Sequence, residues 1–112
     1  MPREELRDKV DLALLCDFYG GLLTDKQRRV LSLHCEEDYS LGEIAGEVGI
    51  SRQAVHETLT RASARLRELE DALGTAARFQ RVESGLREAL SALREKKYDQ
   101  AQVLLEELLD LE

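Results

Sequence analysis

The sequence predicts an all-α fold: a helix-turn-helix bundle followed by a C-terminal helical extension. Three observations carry that reading. Proline occurs once, at Pro2, so nothing further along interrupts a helix. Apolar residues recur at three- and four-residue steps, the spacing of helix faces rather than strands. Cap signals at Thr24, Ser40 and Ser51 then divide the chain into successive helices. The seven glycines are expected to mark breaks between elements.

The first block spans about residues 4–23. Leu6, Val10, Ala13, Leu14, Phe18 and Leu22 are expected to form its buried face, and Gly20-Gly21 to end it. The second begins at Thr24-Asp25-Lys26-Gln27, where Thr and a Gln three residues later can satisfy each other's orphan amides as a capping box. It continues through Leu31 and His34, flanked by Val30 and Leu33. Glu36-Glu37-Asp38 reads as a solvated acidic turn, since adjacent carboxylates lack the spaced ligands and glycine of a calcium loop.

The third block is the informative one. Ser40 and Glu43 form a second capping box before a short helix with Leu41, Ile44, Ala45 and Val48 on one face. Gly49 is expected to end it in a left-handed conformation, and Ser51 to cap the next helix. That helix is pinned by Val55, Leu59, Ala62, Leu66, Leu69 and Leu73. Two helices across a short glycine-containing turn, with a small residue (Ala45) at the crossing, make a helix-turn-helix. The domains are thus residues 1–73, the helix-turn-helix unit, and residues 74–112, a helical hairpin. In the hairpin, Phe79, Val82, Leu86, Ala89, Leu90 and Leu93 form one apolar face, and Ala101, Leu104, Leu105, Leu108 and Leu111 another. These faces are expected to pack on the first domain or on a second subunit, and they argue for a homodimer.

Charge and composition narrow the function. The net charge of −7 opposes bulk coating of nucleic acid or anionic membrane. It is unevenly placed: residues 1–40 carry −3, residues 41–67 carry +1 and residues 68–112 carry −5. The helix-turn-helix is the one segment that is not acidic. No apolar run reaches the roughly 20 residues of a membrane span, and the charged first residues do not resemble a signal peptide. A cytoplasmic location is expected, with Cys16 and Cys35 reduced. Catalysis is poorly supplied. There is no phosphate-cradling loop, no nucleophile elbow and no His-Glu-x-x-His. Adjacent His34 and Cys35 point about 100° apart on a helix, which suits packing better than one metal. Cys16, among Leu14, Leu15 and Phe18, is expected to be an inert thiol. No enzyme activity, cofactor or metal is expected.

With Val55 inward, the exposed start of the second motif helix presents Ser51, Arg52, Gln53, His56, Thr60 and Arg61 as candidate nucleic-acid contacts. Gln can pair with adenine, and Arg with guanine or phosphate. The helix N-terminus adds amide donors for a phosphate.

The stretches Phe18–Gln27, Asp38–Ala45 and Ser51–Val55 resemble the YlxM family of small bacterial proteins, and the central one is similar to the promoter-reading fourth region of sigma factors. The resemblance covers nearly the whole chain, specifically through about residue 61. It implies a sigma region-four-like, non-enzymatic, dimeric protein. Such a protein accompanies or modulates the signal recognition particle, through the particle's RNA or its GTPase protein. The alternative is a DNA-binding transcription regulator acting on duplex DNA. Thr24, Lys26 and Gln27 match one family motif; Ser51, Arg52, Gln53 and Val55 match the other. Lys26 and Gln27 are therefore candidate partner surface, with helix capping as the alternative role of Gln27. Family members often carry aromatics where this chain has His34, Cys35 and His56, and sigma-like recognition helices often carry basic groups in place of Ala54 and His56. Those changes remove groups that stack on bases or neutralise phosphate.

Overall fold

The computed structural model describes residues 2–111, with side chains from residue 11 onward. The helices are α1 (Pro2–Tyr19), α2 (Asp25–Cys35), α3 (Leu41–Val48), α4 (Arg52–Leu73), α5 (Thr75–Arg94) and α6 (Tyr98–Leu109). A short 3-10 turn, Gly20–Leu22, links α1 to α2. No strand occurs among the described residues. The chain divides into two compact units, Met1–Leu73 and Gly74–Glu112. Gly74, at a left-handed φ of 64°, ends α4 before α5.

The first unit is built around Val30, Ile44 and Val55, each wholly buried, one from each of α2, α3 and α4. Leu33, Tyr39, Leu41, Ala45, Val48, Ile50 and Leu59 pack around them. Fully burying one such side chain stabilises the fold by about 1.5–3 kcal/mol. Leu12, Leu15, Tyr19, Leu31, Ala62 and Leu66 extend the buried interior where α1 meets α2 and α4.

α1 buries a different face from the one expected. Leu12, Leu15 and Tyr19 are buried, whereas Ala13, Leu14 and Phe18 are only half-buried and Leu22 is 63% exposed. The side chains of Leu6 and Val10 lie outside the described residues. Between residues 12 and 19 apolar groups surround the helix, so two faces satisfy helical spacing equally well. A tertiary contact decides: the Tyr19 hydroxyl donates to Glu70 Oε1 at 2.6 Å, tying the end of α1 to α4. Gly20 follows at once, buried, with space for a Cβ only 3.2 Å from Cys16 Sγ. α4 is also trimmed: Leu59 and Leu69 are half-buried and Leu73 is 53% exposed.

The glycines do not all mark breaks. Gly42 and Gly46 lie inside α3, and Gly85 inside α5. At Gly85 the cause is packing: a Cβ there would fall 2.5 Å from Leu108 Cδ2, so α6 seats a leucine in the gap.

The second unit is the α5–α6 hairpin. Its turn is held by Lys96 N–H and Lys97 N–H donating to the carbonyls of Leu93 and Ala92, at 3.0 and 2.8 Å. Alanines 89, 92 and 101 are buried, and Leu104 and Leu108 are half-buried. Leu86, Leu90 and Leu93 stay in water although the sequence grouped them with Ala89. Small residues let the two helices approach closely, and the bulky ones fall on an adjoining face.

Candidate nucleic-acid interface

The helix-turn-helix geometry is fixed locally, step by step. Ser40 and Glu43 form the expected box: Ser40 N–H donates to Glu43 Oε1 at 3.0 Å, and Glu43 N–H donates to Ser40 Oγ at 3.1 Å. The Ser40 amide first, and its hydroxyl second, hold the Glu43 carboxyl below the usual 4.5, because both bond its charged form. α3 closes at Gly49, whose φ of 78° is left-handed. There the amides of Gly49 and Ile50 donate to the Ala45 carbonyl at 2.9 and 3.2 Å. An L-residue in that conformation carries a steric penalty that glycine avoids.

Ser51 then starts α4. Its Oγ accepts from Ala54 N–H at 3.0 Å and its carbonyl from Val55 N–H at 3.0 Å. The wholly buried Val55 sets the rotation of the helix. As a result Ser51, Arg52, Gln53, His56, Thr60 and Arg61 are all exposed, along the first three turns of one helix. Ser51 spends its acceptor lone pair on the cap. Thr60 donates back to the His56 carbonyl at 2.9 Å, which leaves its oxygen as an acceptor. Arg52 reaches back over α3: its Nε would lie 3.9 Å from a Cβ on Gly42. It therefore stands at the junction of the two motif helices.

Three further residues shape this surface. Glu57 is exposed at the centre of the outward face, so the patch carries one carboxylate beside two guanidinium groups. Arg67 and Ser63 extend it along α4, and they share with His34, His56 and Thr60 a cleft of about 500 Å³ floored by Leu12 and Leu59. The proximity of His34 to this surface had no local signal, because α2 brings it from a different helix. Arg67 was legible as a charged residue four and three positions from Ser63 and Ala64, but helical spacing alone does not say which flank a cleft occupies.

Lys26 and Gln27 sit in the first turn of α2. Lys26 is exposed, and Gln27 is half-buried, its Oε1 accepting from Thr24 N–H at 3.1 Å. Thr24 Oγ1 in turn accepts from Gln27 N–H at 3.1 Å. The structure thus gives Gln27 the capping role. Burial, followed by the Asp17 and Glu36 charges, pushes the Cys16 thiol up. Among the described residues, no group of three His, Cys, Asp or Glu side chains is placed to hold a metal, and no helix is long and apolar enough to cross a membrane.

A short helix, a left-handed glycine turn and a capped second helix with its outer face exposed define a helix-turn-helix protein. The sequence profile of the UPF0122 family, described as "Putative helix-turn-helix protein, YlxM / p13 like", matches residues 6–108. The chain belongs to that family. It is 42% identical over 95 residues to a UPF0122 protein of Thermoanaerobacter sp. (strain X514), covering 82% of this chain and 81% of the relative. It is 41% identical over 99 residues to one of Halalkalibacterium halodurans, covering 88% and 91%. A third, of Symbiobacterium thermophilum, is 49% identical over 76 residues, covering 68% and 71%.

Proposed function

We propose that the chain is a non-catalytic, cytoplasmic accessory protein of the signal recognition particle pathway, docking on the particle through α3 and α4. The observation that carries this reading is the family match over residues 6–108, because the YlxM resemblance is what ties such chains to that pathway. The surface chemistry supports it. Arg52, Gln53, His56, Thr60 and Arg61 offer directional hydrogen bonds with little net charge. Such a patch suits a shaped RNA or a basic protein better than the uniform backbone of long duplex DNA. The acidic flanks of the chain add attraction to a basic particle protein.

A second reading, a DNA-binding transcription regulator, is favoured by one observation: the exposed start of α4, where recognition helices meet base edges. Glu57 on the same face weakens it, as it does docking on the particle's RNA, since a carboxylate near phosphates opposes binding.

The test is a side-by-side titration of the chain against particle RNA, particle protein and random duplex DNA across a salt series, with GTP hydrolysis by the particle's GTPase followed in parallel. Saturable binding to a particle component, or a changed hydrolysis rate, is expected. Binding to neither component with no rate change overturns the first reading. A sequence-preferring, salt-sensitive duplex complex would establish the second.

A further inference from the structure

We propose that the cleft along α4 takes an unpaired nucleotide of an RNA, turned out of its strand as that strand lies along the helix. The inference deepens the reading of α3 and α4 as a docking face, and it rests on that face taking RNA.

The cleft belongs to the first unit and draws on three of its helices. α1 supplies Leu12 to the floor, α2 supplies His34, and α4 supplies the rest. On α4, His56, Thr60, Ser63 and Arg67 follow steps of four, three and four residues, so they form one stripe. From residue 56 to residue 67 the helix rises about 16 Å. The volume of about 500 Å³ lies within the range of ligand sites, about 300–1,000 Å³.

The lining matches a nucleotide part by part. Leu12 and Leu59 offer an apolar floor to the face of a base. His34 and His56 bring imidazole rings from different helices, and unstacked bases pack on such rings. Thr60 gives its proton to the His56 carbonyl at 2.9 Å. Its oxygen therefore accepts, which suits the amino or imino hydrogen at a base edge. Arg67 is exposed and enters no ion pair among the described residues, whereas Arg65 on the same helix holds Glu68 at 3.5 Å. The Arg67 guanidinium is thus open to a phosphate.

Charge and position select the occupant. Among the described residues no carboxylate lines the cleft, in a chain with 23 aspartates and glutamates. Glu57 and Asp71, on α4 near its two ends, lie outside the lining. An anion with a flat apolar part fits here better than a basic peptide. His56 and Thr60 belong both to the cleft and to the exposed face that carries Arg52, Gln53 and Arg61. A strand held on that face passes the mouth of the cleft. A base inside a duplex is paired and stacked, so its face is closed off, and only an unpaired base can enter. The cleft thus distinguishes a bulged or looped RNA from a continuous helix.

The experiment titrates the full chain onto two RNA hairpins that differ at one position. One carries a bulged 2-aminopurine in its stem; in the other that 2-aminopurine is paired with uridine. Wild type is expected to bind the bulged hairpin roughly tenfold more tightly, within what one base on an aromatic side chain contributes, and to change its 2-aminopurine emission. Ala64→Leu fills the cleft from an exposed helical position, and His34→Ala removes one ring. Each is checked for helix content by circular dichroism, and each should reduce the preference to about twofold or less as stacking is lost. Arg52→Ala should weaken both complexes and keep the preference. Equal binding of the two hairpins by wild type would overturn the cleft as a nucleotide site and leave docking on RNA intact. So would a preference that survives Ala64→Leu or His34→Ala. Binding to neither hairpin would overturn RNA as the partner of this face, and the inference with it. Adenosine monophosphate is titrated alongside. Its saturable binding, with the two hairpins bound equally, would assign the cleft to a free nucleotide and overturn the strand as its occupant.

Discussion

Two glycines three residues apart in the helix-turn-helix should respond oppositely to the same substitution. At Gly49 and at Gly46 an added Cβ meets nothing within 4 Å, so steric contact contributes to neither. The backbone alone decides. Gly46 lies inside α3, where alanine is the better helix former, and Gly46→Ala should stabilise by about 0.5–1 kcal/mol. Gly49 sits at φ 78°, where a Cβ crowds the following carbonyl, and Gly49→Ala should cost about 1–2 kcal/mol. The loss of freedom in the unfolded chain is common to both and cancels in the comparison. The two variants should therefore differ by about 1.5–3 kcal/mol. For a unit of this size that separates their melting temperatures by roughly 6 °C or more, with wild type between. Thermal melts followed by circular dichroism read it directly. Two variants melting together, or Gly49→Ala above wild type, would refute the left-handed turn as the device that joins α3 to α4.

Two other substitutions probe parts of the fold that support this motif. Tyr19→Phe removes the hydroxyl that donates to Glu70 and should cost about 1–3 kcal/mol by urea unfolding, because a hydrogen bond to a charged, partly buried carboxylate is lost; an unchanged midpoint would show that the bond contributes nothing. At Glu43 the folded carboxyl titrates below its ordinary 4.5, so its contribution is present above that pH and lost as pH falls through the folded value. Glu43→Gln keeps the capping box but carries no charge, so it should match wild type at acid pH, fall below it at neutral pH and flatten the stability-versus-pH curve in that acid window; a curve of wild-type slope would remove Glu43 as a source of acid sensitivity.

The helix-turn-helix was legible because its signals are local. Ser40, Glu43, Gly49 and Ser51 each act on residues within five positions, and each takes its expected part, as does Val55 by pointing inward. The outward placement of Arg52, Gln53, His56, Thr60 and Arg61 followed from the single assumption that Val55 points inward. What the sequence hid is tertiary. α1 is apolar on nearly all sides between Leu12 and Tyr19, so periodicity could not choose its buried face, and the deciding partner, Glu70, is 51 residues away. Gly85 reads as a break by its local preference, but it is a seat for Leu108. His34 joins the flank of the candidate interface only because α2 packs beside α4. Gln27 shows a different limit: its pattern fitted both partner surface and helix cap, and the hydrogen bonds with Thr24 show the cap.

Docking on the particle through α3 and α4 is measured most directly by an equilibrium titration of the chain onto the assembled signal recognition particle, with wild type beside an Arg52→Ala, Arg61→Ala double variant. Both arginines are exposed, so the double variant should melt with wild type. Wild type should bind saturably, and the variant roughly tenfold or more weakly, with a shallower salt dependence. No binding by wild type, or equal binding by the variant, would contradict that docking.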